Sequence, residues 1–219
     1  MNDLEKYFYN NYGAIIYKWS HYFDIYDRHF SKFRGKDITL LEIGVLEGGS
    51  LLMWKNYFGD KAKIYGLDIN PACANKVKAD NVEIIIGSQS DRNFLRLLAQ
   101  KLPKIDILID DGGHLMNQQI ITFEELFPHV VDGGVYLCED LHTSYMKQWG
   151  GGYKNPDTFI EYSKNFIDQL NAYIPDNPDL PVTEFTRHVD SVHYYDSILV
   201  IEKKLREKPE DIVTGVHQD

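Results

Sequence analysis

Two runs near the middle of the chain, IDILIDDGGH (Ile105 to His114) and GGVYLCEDLHTSY (Gly133 to Tyr145), change abruptly from β-branched and apolar residues to carboxylates, glycine and histidine. Short apolar runs of this kind suit buried strands. If the two strands are parallel neighbours, Asp110, Asp111, Glu139 and Asp140 emerge together at the carboxyl edge, where open α/β sheets bind ligands. Carboxylates gathered there repel one another unless a cation lies among them. The competing role for one or two of them is capping the helices that follow. Oxygens from Asp111, Glu139 and Asp140 suit a hard divalent ion such as Mg²⁺, with coordination positions left for water and a substrate oxygen. His114 follows Asp111 across a Gly-Gly turn that can swing its imidazole toward the same place, as a general base. Ionising a simple alcohol, with an acidity near that of water (pKa about 15.7), costs roughly 12 kcal/mol at neutral pH. An imidazole of ordinary pKa, about 6.5, does not supply that alone, so metal and base are expected to act on one hydroxyl.

The elements that position these residues follow a strand-and-helix alternation. ITLLEI (Ile38 to Ile43) is expected as a buried strand running into GVLEGGSLLMW, a glycine turn and a helix with apolar Leu51, Leu52 and Trp54. A dinucleotide loop wants G-x-G-x-x-G. Here Gly44 is followed by Val45, Leu46 and Glu47 before Gly48, and a glutamate in the turn suits a cationic ligand better than a pyrophosphate. The E-x-G-x-x-x-G-x-S form of Glu42, Gly44, Gly48 and Ser50 resembles the first motif of class I methyltransferases, whose S-adenosylmethionine carries a sulfonium and an ammonium. KIYGL (Lys63 to Leu67) is a second strand ending at Asp68, placed either to accept the ribose hydroxyls or to cap the helix after Pro71. VEIII (Val82 to Ile86) is a third; Ser88 and Gln89 beyond it would meet an adenine edge, and Ile69 its face, with Asp110 also on the cofactor side. Asp91 is expected to start a helix carrying Phe94, Leu95, Leu97 and Leu98, and a further helix is expected over Leu115 to Phe127.

Upstream, Leu4 to about Phe33 has a helical aromatic pattern, with Tyr22, Tyr26 and Phe30 at i, i+4 and i+8. That stripe is expected to pack on the sheet, while Tyr17 to His21 is a candidate to close over a site. Downstream, the glycine-rich Trp149 to Pro156 is a candidate substrate lid, too flexible to be core. An amphipathic helix is expected over Phe159 to Ile174, and two antiparallel strands between His188 and Lys204, turning near Asp196-Ser197.

Composition narrows the class. A chain of 219 residues that is 43% hydrophobic and 13% aromatic forms one good globular core. The divisions expected are an N-terminal helical segment (1–36), a main domain (37–205) and a polar tail (206–219). A formal charge of −10 repels a nucleic-acid backbone. No apolar run is long enough to cross a bilayer and no signal peptide heads the chain, so a cytoplasmic protein is expected. The two cysteines, Cys73 and Cys138, fit neither a disulfide framework nor a Cys-x-x-Cys metal site.

The ordered runs LEIGVLEGGS, YGLDINP, IDILIDDGGH, YLCEDLHTSY and SVHYYDSILVIEK resemble the metal-dependent O-methyltransferases of the macrolide-sugar methyltransferase and cephalosporin-hydroxylase group, from about Lys18 to Lys204. The resemblance implies a doubly wound, mostly parallel sheet with an antiparallel C-terminal hairpin, the class I methyltransferase fold. It implies S-adenosylmethionine and Mg²⁺ as cofactors and a hydroxylated small molecule, a sugar or other secondary metabolite, as acceptor; it allows a homo-oligomer. By matching position, Asp111, Glu139 and Asp140 resemble the metal ligands and His114 the base. Ser88 stands where an acidic residue is common in the group and Gly113 where serine is common. The long N-terminal extension of some macrolide-sugar relatives is not among these residues. Two other functions compete. A two-histidine, one-carboxylate iron site from His114, His142 and an acid would make an oxygenase, and a non-catalytic binder would keep the fold without turnover. His142 and His193 also compete with His114 for the role of base.

Overall fold

The computed structural model describes residues 1–215. Seven strands form one sheet in the order β3-β2-β1-β4-β5-β7-β6: β1 (Thr39–Ile43), β2 (Lys63–Asp68), β3 (Val82–Ile86), β4 (Ile105–Asp110), β5 (Val130–Cys138), β6 (Val189–Tyr195) and β7 (Ile198–Lys203). The first five run parallel, and β7 pairs antiparallel with both β5 and β6. This is the doubly wound sheet with an antiparallel hairpin that the strand pattern implies. The order reverses between β1 and β4, so the switch-point crevice opens beside their carboxyl ends.

Apolar strand residues alternate between two cores. One face carries Leu40, Ile107, Ile109, Val135, Leu137 and Val200, covered by α1 (Asp3–Tyr9), α2 (Tyr22–Phe30) and α3 (Gly49–Phe58). The other carries Leu41, Ile43, Leu108, Tyr136 and Leu199, covered by α4 (Arg92–Lys101), α5 (Met116–Leu126), α6 (Phe159–Leu170) and α7 (Glu184–His188). Burial of both faces explains why the central strands are near-continuous apolar runs rather than alternating ones. Asp91 caps α4 by accepting from the amides of Asn93 and Phe94, as expected of a helix start.

Three expectations need correction. The helical pattern expected from Leu4 to Phe33 is broken: residues 10–21 are neither helix nor strand and cross the carboxyl edge as a strap. Its backbone runs so close to α3 that a Cβ at Gly49 would lie 2.5 Å from the Ala14 and Ile15 carbonyls. The α6 helix ends at Leu170 rather than at Ile174. The glycine-rich segment is tied down, because the amides of Gly150, Gly151 and Gly152 donate to the carbonyls of Lys147, Met146 and Ser144. The tail expected from Arg206 has no helix or strand through Gly215, and its last four residues lie outside the described residues. Among the described residues, no helix is long and apolar enough to cross a membrane.

A polar knot fastens α2 to the hairpin. His29 Nδ1 lies 2.7 Å from Glu202 Oε1 and its Nε2 2.9 Å from the Tyr195 hydroxyl, with Lys32 on the other Glu202 oxygen and the His193 ring alongside. Burial holds the His29 imidazole below its ordinary pKa, outweighing the Glu202 carboxylate; the neighbouring His193 and Lys32 act in the same direction as burial. In the unfolded chain the ring protonates first as pH falls, so this group's contribution is full above about pH 6.5 and is lost on acidification through the lowered native pKa. His29→Gln is therefore expected to narrow the stability gap between pH 7.5 and pH 5.5 in urea denaturation. Identical pH dependence in variant and wild type would refute it.

Candidate active site

Strand register builds the centre of the site. Ile43 pairs with Asp110, and Asp110 with Cys138, so the chain leaves β1, β4 and β5 at one level. One further ladder step follows, from the Asp111 amide to the Ile43 carbonyl and from the Glu139 amide to the Asp110 carbonyl. Period-two alternation then decides which acids meet. Glu42, Asp111 and Glu139 fall on the α1–α3 side of the sheet and Asp110 on the other. Asp110 is buried, accepts from Gln89 Nε2 at 3.0 Å and lines neither of the two clefts described below. Its other oxygen has no partner, and burial pushes its carboxyl up to about 7. The expected place for Asp110 beside a cofactor is thus corrected: it braces the turn from behind.

On the α1–α3 side a cation is already present. The Lys18 ammonium, its side chain 2% exposed, lies 2.5 Å from Asp111 Oδ2, 2.9 and 3.0 Å from the two Glu139 oxygens and 3.5 Å from Glu42 Oε1. Tyr26 donates to Glu139 Oε1 and Tyr22 to Asp140 Oδ1, both at 2.7 Å. Burial opposes the Lys18 charge, but Asp111, Glu139 and Glu42 outweigh it and hold the ammonium protonated, well above its usual range. Burial and the Asp111 charge in turn raise Glu139 far above the ordinary carboxylate range, and burial raises Asp111 and Glu42. One positive charge cannot neutralise three carboxylates. We take Lys18 as charged and the surplus negative charge, or the proton that relieves it, as lying mainly on Glu139.

Asp140 and His114 complete the centre. Both are in the left-handed region, at φ 56° and 54°, a conformation uncommon for non-glycine residues and concentrated at functional sites. Thr143 Oγ1 fastens the pair, 2.8 Å from the Asp140 carbonyl and 3.2 Å from that of His114. His114 Nε2 lies 3.4 Å from Asp140 Oδ2 and 3.9 Å from Asp111 Oδ1, while its buried Nδ1 has no partner. Asp111, His114 and Asp140 can each offer a ligand atom within 4.8 Å of the others. Charge and oxygen donors therefore fit a divalent ion here, with His114 Nε2 at its edge and Glu139 beside the set but engaged by Lys18 and Tyr26. His142 also lines the larger cleft described below but stands outside that set, its Nδ1 3.2 Å from Ser197 Oγ and 3.9 Å from Asp140 Oδ1. That arrangement does not assemble the two-histidine iron site. His193 belongs to the knot under α2 and lines neither cleft.

Two connected clefts flank this centre. The larger, about 510 Å³, is bordered by the Tyr17–Trp19 strap, Ser50, Asp111, His114, Asp140 and Trp149. The smaller, about 170 Å³, is lined by Ile69, Ser88, Gln89 and Gly113, and the two share Gly44, Asp68 and Gly112. Gly44 is required where it stands: at φ 95°, a Cβ would lie 1.9 Å from the Asp111 carbonyl oxygen. Asp68 faces the glycine turn, accepting from the Val45 amide at 2.8 Å, and Asn70 rather than Asp68 caps the turn after Pro71. Ile69 is 69% exposed over the smaller cleft. Gln89 borders it but spends its amide on Asp110, Thr122 and the Gly113 amide.

Two expectations about the first turn fail. Glu47 pairs with Lys76 at 2.6 Å, and its carboxylate faces outward, away from any cationic ligand in the cleft. Glu42 is fully buried, accepts from Ser50 Oγ and Trp54 Nε1, and lines neither cleft, so it acts behind the wall through Ser50 and Lys18. The sequence pattern places Lys18 only within the Tyr17–His21 segment that could close over a site, and assigns Tyr22 and Tyr26 to a helix face packed on the sheet. The signal for the tyrosines is their hydroxyl: on a stripe shared with Phe23 and Phe30, a buried tyrosine needs a polar partner.

Comparisons with known proteins bear on the family and the fold. A family model described as a methyltransferase domain matches residues 41–141. The chain is 36% identical over 188 residues to 8-demethyl-8-alpha-L-rhamnosyl tetracenomycin-C 2'-O-methyltransferase of Streptomyces olivaceus, covering 82% of this chain and 49% of that protein. It is 34% identical over 215 residues to demethylmacrocin O-methyltransferase of Streptomyces fradiae, covering 93% and 53%. Among solved structures, MycE methyltransferase from the mycinamycin biosynthetic pathway, in complex with Mg, SAH and mycinamycin VI, superposes with a TM-score of 0.79 at 32% identity, over 93% of this chain and 53% of that one. The chain spans about half the length of the curated relatives it matches.

Proposed function

Because this chain belongs to the class I methyltransferases related to the macrolide-sugar O-methyltransferases, we propose that it methylates a hydroxyl of a sugar or other secondary metabolite, with S-adenosylmethionine as donor and Mg²⁺ as cofactor. The observation that carries the reading is the convergence of Asp111, Asp140 and His114 on the cleft that begins at the Gly44 turn. When bound, the ion lowers the pKa of an oxygen it holds and the donor supplies the methyl group.

The chain's own residues do the rest. Asp111 and Asp140, joined by Glu139, hold the ion. His114 Nε2 takes the hydroxyl proton as the oxygen attacks. Gly44 admits the methionine end of the donor beside Ser50, Asp68 faces the ribose, and Ile69 and Ser88 border the adenine in the smaller cleft. Tyr22 and Tyr26 fix the Asp140 and Glu139 carboxylates by hydrogen bonds from α2. The Tyr17–Trp19 strap and Trp149 wall the acceptor side and keep water away from the reacting atoms. The sugar-methylating relatives support a glycoside acceptor. The test is incubation with S-adenosylmethionine, Mg²⁺ and a panel of rhamnosides and macrolide glycosides, following S-adenosylhomocysteine release and a mass gain of one methylene. Donor binding without transfer to any acceptor would favour a non-catalytic binder.

Asp68→Ala is expected to weaken S-adenosylmethionine binding by about 10- to 100-fold in calorimetry, the loss of one charge-assisted pair of hydrogen bonds, roughly 1.5–3 kcal/mol. Part of that loss comes from the glycine turn, because Asp68 also holds the Val45 amide. Unchanged affinity would remove Asp68 from the donor site.

A further inference from the structure

We propose that Lys18 is a resident cation of the metal site, holding Asp111 and Glu139 in the ion-free protein and leaving when a divalent ion enters. The inference rests on the metal reading given above and adds to it how the ion is admitted.

The contacts are those of an occupant. The ammonium meets one Asp111 oxygen and both Glu139 oxygens, and its side chain is almost wholly buried. Glu139 has little left to offer: Oε1 serves Lys18 and Tyr26, and Oε2 serves Lys18. The Glu139 oxygens are correspondingly not among the ligand atoms of Asp111, His114 and Asp140 that lie within 4.8 Å of one another. Glu139 can join the ion only by giving up the ammonium, since a divalent ion and an ammonium on the same oxygens repel at close range in a site of low polarity. The exchange is favourable in charge, because three carboxylates around one ammonium leave a surplus that a divalent ion meets better.

The position of Lys18 in the chain makes departure feasible. It lies on the strap of residues 10–21, which has no helix or strand of its own. Its neighbours Tyr17 and Trp19 are largely exposed on the cleft rim, so Lys18 is the strap's inward anchor at this point. Ion binding therefore releases the anchor of a segment that borders the acceptor side. Lys18 is a positioning residue here, coupling the ion to the strap.

Mn²⁺ is the probe, counted from the electron paramagnetic resonance signal of the free ion during titration of wild type and Lys18→Met. In the wild type the ion-competent state is the minor one with Lys18 withdrawn, so removing the side chain is expected to tighten Mn²⁺ binding by about 10- to 1,000-fold, corresponding to a minor state populated at roughly 0.1–10%. Affinity in Lys18→Met equal to or weaker than wild type overturns the proposal. A lysine that merely repels the ion from a fixed position would also tighten binding when removed. The wild type is therefore labelled with an amine-acetylating reagent and the Lys18 peptide quantified by mass spectrometry. Displacement predicts a several-fold rise in labelling at saturating Mn²⁺; unchanged labelling with Mn²⁺ bound overturns the exchange, and this measurement stands even if Lys18→Met does not fold without the ion. Failure of the wild type to bind Mn²⁺ at all instead removes the metal reading on which the exchange depends.

Discussion

His114→Ala is expected to lower the rate of methyl transfer by about 10²- to 10⁴-fold, the usual worth of a general base and roughly 3–5 kcal/mol of barrier. The geometry gives the proposed base a defined position. Nε2 lies 3.4 Å from Asp140 Oδ2, next to the two aspartates proposed to hold the ion, and the Trp149 ring packs against the imidazole at 5.8 Å between centroids. The loss should fall on the chemical step in single-turnover experiments and leave donor binding near normal. Two other effects must be separated from it. His114 has a left-handed backbone, which alanine tolerates poorly and asparagine better, so His114→Asn shows how much of the loss comes from the turn. His114 also lies within ligand range of Asp111 and Asp140. If Mn²⁺ affinity collapses along with the rate, the imidazole is a ligand rather than the base. A near-normal chemical step in His114→Ala, with His142→Ala slow, would move the base to His142.

Asp140→Asn should weaken Mn²⁺ binding by more than about 100-fold and reduce activity in parallel. Loss of groups that only support a metal ligand already costs about 10- to 100-fold, and this substitution removes the charge of a proposed direct ligand. It is a clean change in other respects. Asparagine accepts the left-handed conformation that Asp140 adopts, and its carbonyl can still receive the Tyr22 hydroxyl. Raised Mn²⁺ should recover part of the turnover, because the defect is in occupancy. Undiminished Mn²⁺ affinity would place the ion elsewhere, and wild-type turnover after complete chelation would remove the ion from the mechanism. Tyr22→Phe offers a graded comparison: it keeps the Asp140 charge and removes only the hydrogen bond that orients it, so its effect should be smaller than that of Asp140→Asn.

The architecture was legible because it is encoded locally. TLLEI, KIYGLD, VEIII and ILVIEK are short apolar runs bounded by charged or glycine residues, and their lengths suit strands covered on both faces. Gly44 and Gly48 marked the first turn because only glycine meets the close approach and positive φ found there. Asp111 and Glu139 stood out as candidates because each follows directly on an apolar strand, with Asp140 next to Glu139 and His114 three residues beyond Asp111 across two glycines. What the local pattern left undetermined was the side of the sheet on which each acid falls. Asp110 and Asp111 are adjacent in sequence, yet one is held by Gln89 behind the sheet and the other by Lys18 in front. Glu42 and Glu47, five positions apart, divide in the same way between buried wall and outer surface. The Tyr17–His21 segment was a candidate to close over the site, but the partners of Lys18 were out of reach of any local pattern: it meets Asp111 across 93 residues and Glu139 across 121, and no periodicity marks a single lysine in an aromatic segment. Apolar periodicity specifies which segments are buried, since burial is a property of each segment against any core. Charge compensation is a property of residues brought together by the assembled sheet, so the register of β1, β4 and β5 and the path of the strap decided which carboxylates share a cation.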